Sequence, residues 1–158
     1  YEGRWGALFS RLNVTEQGGQ FQVDERTVNM YRAMTAKQFG TVAAALFDYY
    51  MTDESNEKLR KMLTIEQYRS RELGLLYKRL SFGDSIAFQT ELFTAFIQTG
   101  AFRPGDPHIM ALAFFAPIFL IFYQYGDAPE RLDEAKTLFM RHIEHFTKTY
   151  GADAPKEG

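Results

Sequence analysis

The stretch Met110–Tyr125, MALAFFAPIFLIFYQY, decides how this chain is read. Fifteen of its sixteen residues are apolar or aromatic, and Gln124 is the one strongly polar exception. It opens on Asp106-Pro107 and closes on Gly126. Asp is a preferred N-cap, Pro is tolerated at the first helical position, and Gly suits the left-handed residue after a helix end. The stretch therefore reads as one helix that is apolar on every face. A surface helix needs only one apolar stripe, so this one has to be covered on several sides. It is short for a bilayer span and carries Pro117 near its middle. The rest of the chain can cover one side, and a second subunit is expected on another.

Working outward, the remainder also reads as helix. Leu (14) outnumbers Val (4) and Ile (7) together, and all five prolines lie after Arg103. That is helix bias, with no proline break in the first two-thirds of the chain. At 158 residues the length suits one domain with a real core. Tyr1 to Leu12 has the spacing of a helix end, and Gly18-Gly19 marks a loop. Asp24 can cap a long helix to about Met51 whose inward stripe runs Val28, Tyr31, Met34, Phe39, Val42, Leu46 and Tyr50. Gly40 with Ala43, Ala44 and Ala45 leaves this helix a slim waist where a neighbour can approach. Thr52 to Asn56 is a polar break, after which helix resumes through Leu59, Met62 and Leu63. Thr64-Ile65-Glu66-Gln67 has the form of a capping box, so a new helix or a bend is expected there. Ser70 can cap a segment ending near Gly83, and Asp84 or Ser85 opens another that Gly100 stops. After Gly126, Asp127 and Pro129 start the last helix, with Leu132, Ala135, Phe139, Ile143, Phe146 and Tyr150 inward and Gly151 at its end. The fold class is an all-α bundle of about six helices, one domain over 1–151 followed by a flexible tail at 152–158.

Composition excludes some functions. Net charge is −2 and there is no cysteine. Nothing in that balance grips a phosphate backbone, and thiolate and disulfide chemistry are absent, as suits a reducing cytoplasm. No nucleophile elbow, phosphate-cradling glycine loop, dinucleotide fingerprint or zinc-protease pair occurs. No catalytic residues, metal site or cofactor are assigned. His142-Ile143-Glu144-His145 puts two imidazoles on one helical face, where a metal would still need a third ligand. An interface or satisfied-core pair is the plainer reading. Lys58, Arg60, Lys61, Arg69, Arg71, Lys78 and Arg79 interleave with Glu54, Glu57, Glu66 and Glu72, the pattern of a solvated helix face. Aromatic residues make up 16% of the chain, enough for a bulky core that could leave a cavity. Phe39, Phe47, Tyr50, Phe88, Phe93, Phe96 and Phe114 either line a pocket for an apolar or aromatic ligand or simply fill that core. Gln38, Gln89 and the tyrosine hydroxyls are the available polar handles.

The stretch from Leu63 to Tyr150 resembles the C-terminal domain of TetR/AcrR-type transcriptional regulators. The resemblance is carried by Leu63-Thr64-Ile65-Glu66-Gln67-Tyr68, by Glu91-Leu92-Phe93 leading into Gly100-Ala101-Phe102, by Asp106-Pro107 and Ala116-Pro117, and by Arg141-His142-Ile143-Glu144-His145-Phe146. It implies a cytoplasmic, non-enzymatic homodimer that senses a small-molecule effector. Residues 106–125 and 129–150 would pair with their twins in a four-helix interface that includes Phe115, Phe119, Phe122, Leu138, His142 and His145. An effector pocket would lie between 25–51, 85–99 and the start of 106–125. Operator DNA would be bound, for repression or activation, only by an N-terminal helix-turn-helix domain that this chain lacks. The chain is thus expected to be a piece of a longer protein. A dimerisation module without ligand and a small helical metal-dependent enzyme are the alternatives.

Overall fold

A computed structural model describes residues 32–152 and, within them, the side chains of all but Tyr50 and Asn56. The expectations for 1–31, and for the tail beyond Ala152, lie outside the described residues. The described chain is all-α, with α1 Ala36–Thr52, α2 Glu54–Glu66, α3 Arg71–Lys78, a π segment Arg79–Gly83, α4 Asp84–Thr99, α5 Pro107–Tyr125 and α6 Leu132–Tyr150, the last entered through a 3-10 turn at Pro129–Arg131.

Short polar side chains set most of the boundaries. Thr35 and Gln38 form a reciprocal capping box, with Gln38 N–H donating to Thr35 Oγ1 at 3.2 Å and Thr35 N–H to Gln38 Oε1 at 3.0 Å. The long helix expected to run unbroken from Asp24 to Met51 therefore starts afresh at Ala36. Gln38 is spent on this cap and is not a pocket handle. Asp53, in extended backbone, ends α1 and caps α2 through Ser55 N–H. Ser70 caps α3 through Leu73 N–H at 3.0 Å. Gly100 ends α4 in the left-handed region, φ 81°. Asp106 accepts from His108 and Ile109 N–H at the start of α5, with Pro107 in the first turn.

Three punctuation marks act differently from their sequence reading. Thr64 opens no helix, since its hydroxyl donates to Arg60 O at 2.7 Å inside α2, but the bend expected as the alternative follows at once, α2 ending at Glu66 in a turn over Gln67–Arg69. Gly83 stops nothing, because it stays right-handed and the chain passes from α3 to α4 through i→i+5 hydrogen bonding. Gly126 is right-handed too, with φ −61°. It is needed for space, since a Cβ there would collide with the Arg60 guanidinium and the Phe122 carbonyl.

Helix α5 lies at the centre of this arrangement, packed against α4 on one side and α6 on another, while α6 also packs on α1. Its Met110, Ala111, Phe114, Ile121 and Tyr125 are buried. By length and composition α5 could cross a membrane. Those five residues instead meet side chains of α1, α4 and α6 in one hydrophobic core. Phe39, Phe93, Phe96, Phe102, Phe114 and Phe146 make up its aromatic centre, with Phe39 in edge contact with Phe93 and Phe96 at 5.5 Å between ring centroids. Phe47 stacks on Phe139 at 4.0 Å lower down. The ends of α4 and α6 are tied by a single antiparallel bridge, Phe102 to Gly151, with Arg103 N–H donating to Tyr150 O at 2.7 Å.

The slim waist of α1 meets α6. A Cβ on Gly40 would lie 2.9 Å from Ile143 Cγ2 and 3.8 Å from Thr147 Cγ2. Gly40→Ala would gain up to about 1 kcal/mol of helix propensity but lose about 1–3 kcal/mol to overpacking against a buried, χ1-restricted isoleucine. The expected net result is destabilisation of about 1 kcal/mol, read as a lower urea midpoint at unchanged slope.

Candidate functional site

The outer side of α5 carries the most conspicuous surface feature. Its period places Ile109, Leu112, Ala116, Leu120 and Tyr123 in one row, at successive spacings of three and four residues, opposite the buried row. All five are exposed, and Leu120 is 63% so. This is the spacing of a helix–helix seam. None of the five was among the residues expected from the sequence.

The six expected interface residues sit elsewhere or only border this row. Phe119 packs against Phe82 of the π segment at 4.6 Å, with Phe115 more distant at 6.5 Å. Phe122 stacks on Phe47 at 5.5 Å and carries the Arg60 guanidinium over its ring at 5.7 Å. These three rings are half-buried and turn toward α1, α2 and the π segment, one helical step around from the exposed row. Leu138 packs partly against the core. His142 is half-buried, with Nε2–H donating to Phe114 O at 2.9 Å. Of the six, His145 alone is exposed. On a helix this apolar the largest rings are taken by the chain's own packing.

The expected pocket residues come together, but against one another. Phe39, Phe47, Phe93, Phe96 and Phe114 are all buried, and their neighbours are other rings. Phe88 packs partly against the same core. The side chain of Tyr50 lies outside the described residues. Gln89 keeps a distinctive place among them. It shares the inward face of α4 with Ile86 and Phe93, three residues before and four after. Its Oε1 is buried without a hydrogen-bond partner. A buried acceptor left unpaired costs about 1–3 kcal/mol. Asp84, at the start of the same helix, has an unpaired buried Oδ2. Burial pushes its carboxyl above the usual range, against the opposing pull of Arg79 at 3.5 Å.

An opening that sequence reasoning did not locate lies where the start of α5 meets the end of α6. It is an open cleft of about 330 Å³ lined in part by Arg103, Pro104, Ile109, Met110 and Tyr150. No group of three or more His, Cys, Asp or Glu is placed to hold a metal ion among the described residues. A third set of polar atoms is the hydroxyl chain Thr64–Tyr123–Tyr77, joining α2, α5 and α3. Burial first, and the bond with Tyr123 second, push the Tyr77 phenol up to about 12. No family model matches the chain, and no curated protein or solved structure matches it.

Two titrations follow from this geometry. Burial pushes the His142 imidazole below its ordinary value, opposed by its bond to Phe114 O and aided slightly by His145. The unfolded chain therefore takes up a proton first as pH falls, and stability drops below about pH 6.5 until the native imidazole also protonates. Between about pH 7 and about pH 5 the thermal midpoint should fall, and His142→Gln, which can still donate to Phe114 O, should flatten that slope. Tyr77 has the opposite sense. Its raised pKa contributes stability that is complete below about pH 10 and lost as pH rises toward 12. Phenolate absorbance should show a late-ionising tyrosine that Tyr77→Phe removes.

Proposed function

We propose that this chain is the effector-sensing and dimerisation domain of a TetR/AcrR-type transcriptional regulator. Two copies meet through the exposed row of α5, flanked by α6, in a four-helix seam. The observation that carries this reading is the pair of opposite apolar faces on one helix: one is already the core, and the other has no cover within the described chain. A contiguous row of exposed apolar side chains is a surface that favours a partner over water. The self-complementary solution for such a row is a two-fold pair.

The sensing half of the proposal rests on the aromatic core and on Gln89. An apolar or aromatic small molecule with a hydrogen-bond donor would satisfy the unpaired amide oxygen while displacing ring-to-ring contacts. By binding one arrangement of the helices more tightly than another, it would shift the dimer toward that arrangement. The response would be transmitted to operator DNA through an N-terminal domain outside this chain. No chemistry is asked of the domain, and it needs no cofactor. A dimerisation module without ligand is the second reading, favoured by how fully the phenylalanines contact one another.

Native mass spectrometry of the purified chain is the test. The proposed dimer has twice the 18.3 kDa chain mass, and bound effector would add to it. Leu120→Glu places a charge in the seam twice over, at about 2 kcal/mol or more per copy. The expected result is a dimer dissociation constant raised roughly a thousandfold, with helix content unchanged. Met140→Glu, an exposed apolar position on the α1 side of α6, should leave the dimer intact. A wild-type monomer at high concentration would reject the seam. A dimer without adduct, stabilised rather than weakened by Gln89→Leu, would select the module without ligand.

A further inference from the structure

Helices α2 and α3 stand apart from the rest of the described structure. The core cluster draws its members from α1, α4, α5, α6 and the link after α4, and includes no residue of α2 or α3. Each of these two helices buries one side chain, Leu63 in α2 and Tyr77 in α3. At one end the pair joins α1 through Asp53, a single residue in extended backbone between two helices. At the other it joins α4 through the π segment Arg79–Gly83, which buries no residue fully. A π turn wraps one extra residue into a helix and is a recurrent place for local rearrangement.

Side chains, rather than close backbone packing, hold this pair to α5. The Tyr123 hydroxyl of α5 lies 3.2 Å from the Thr64 hydroxyl and also shares a hydrogen bond with the Tyr77 hydroxyl. Around that chain runs a closed circuit of rings: Tyr77 to Phe82 at 5.9 Å, Phe82 to Phe119 at 4.6 Å, and Phe119 to Tyr123 at 4.7 Å. Further ties include Arg60 over Phe122 and an exposed ion pair from Lys61 to Asp127. Exposed pairs of that kind contribute little. We propose that α2 and α3 form a hinged arm, swinging at Asp53 and at the π segment, and that the hydroxyl chain Thr64–Tyr123–Tyr77 is the latch that keeps it closed on α5.

The chemistry suits a latch better than a permanent bolt. Tyr77 is 5% exposed and Tyr123 44%, so the chain of hydroxyls runs from the interior to solvent. Opening the arm exchanges these bonds for bonds to water, at a net loss that is modest per bond. The aromatic centre of the core need not move. Local opening of this kind, at a free energy below that of global unfolding, is how separable units of a fold reveal themselves.

Hydrogen exchange on the whole chain tests the proposal. Tyr77→Phe and Thr64→Val each break the hydroxyl chain at one end, keep the size of the side chain, and lie away from the exposed row of α5. Each variant is compared with wild type at the same chain concentration, low enough for both to be monomeric, so that any covering of the row does not enter the comparison. Tyr77→Phe should speed exchange of the amides of α2, α3 and the π segment roughly tenfold, while the core amides of α4, α5 and α6 keep their wild-type rates. Thr64→Val should do the same to a smaller extent, and Tyr123→Phe, which cuts both bonds but keeps the ring on Phe119, should exceed either. Equal acceleration throughout the chain would mean that α2 and α3 unfold only with the whole domain, and would overturn the hinge. No acceleration in Tyr123→Phe would overturn the latch.

Discussion

A helix that is apolar all the way round cannot be satisfied by one neighbour, and the structure is organised around that constraint on α5. Burial of a large side chain is worth about 1.5–3 kcal/mol. Each uncovered side of α5 is therefore a substantial free energy left in water. The inner side meets the phenylalanines of α4 and α6, with Phe39 of α1 reaching Phe114 at 5.1 Å. The side toward α3 is taken by Phe82, and the side toward α2 by the Arg60 guanidinium spread over Phe122. The outer row alone is left. Every other helix is ordinary by comparison and takes its position from the side of α5 it covers, directly or, for α1, largely through α6.

Pro117 sits inside this helix without ending it. Its missing N–H leaves the carbonyl of Ala113 without the usual partner, and its ring crowds that turn. One residue further, the Phe114 carbonyl takes the His142 Nε2–H from α6. Burial lowers the basicity of the half-buried imidazole against the opposing pull of this bond, and the bond itself fixes the residue beside the aromatic centre. The two histidines that suggested a metal pair in the sequence thus divide into a structural donor, His142, and an exposed side chain, His145.

Much of the fold was legible because its punctuation is local. Asp106-Pro107, Gly100 and Ser70 act through their own backbone and nearest neighbours, and each marks the boundary it suggested. Thr35-Ala36-Lys37-Gln38 carried the same kind of signal, but the apolar stripe running through it concealed a helix start. Thr64 and Gly83 misled because their use depends on context: a threonine can bond back to its own helix, and a glycine can remain right-handed where the turn is widened. The site was less legible for a different reason. Facing is read from the contrast between polar and apolar positions, and a helix with no polar face has no phase to read. On α5 only the packing of the other helices distinguishes Phe119, turned against Phe82, from Leu120, turned to solvent. The same limit affects the phenylalanine set, where residue type cannot separate rings that line a space from rings that fill it.

Tyr123 belongs to two parts of the molecule at once. Its ring stands in the exposed row of α5, and its hydroxyl closes the chain to Thr64 and Tyr77. In the isolated chain, water competes for that hydroxyl from the open side, which keeps the bond energetically modest. Any partner that covered the row would remove the water and lower the local polarity around the hydroxyl chain. Hydrogen bonds among the three hydroxyls would then be stronger than in the uncovered state, and a broken chain would leave a buried polar group unpaired. The arm and the row are therefore linked through one side chain, and the linkage is reciprocal. Covering the row favours the closed arm, and the closed arm presents Tyr123 in the orientation that the row requires.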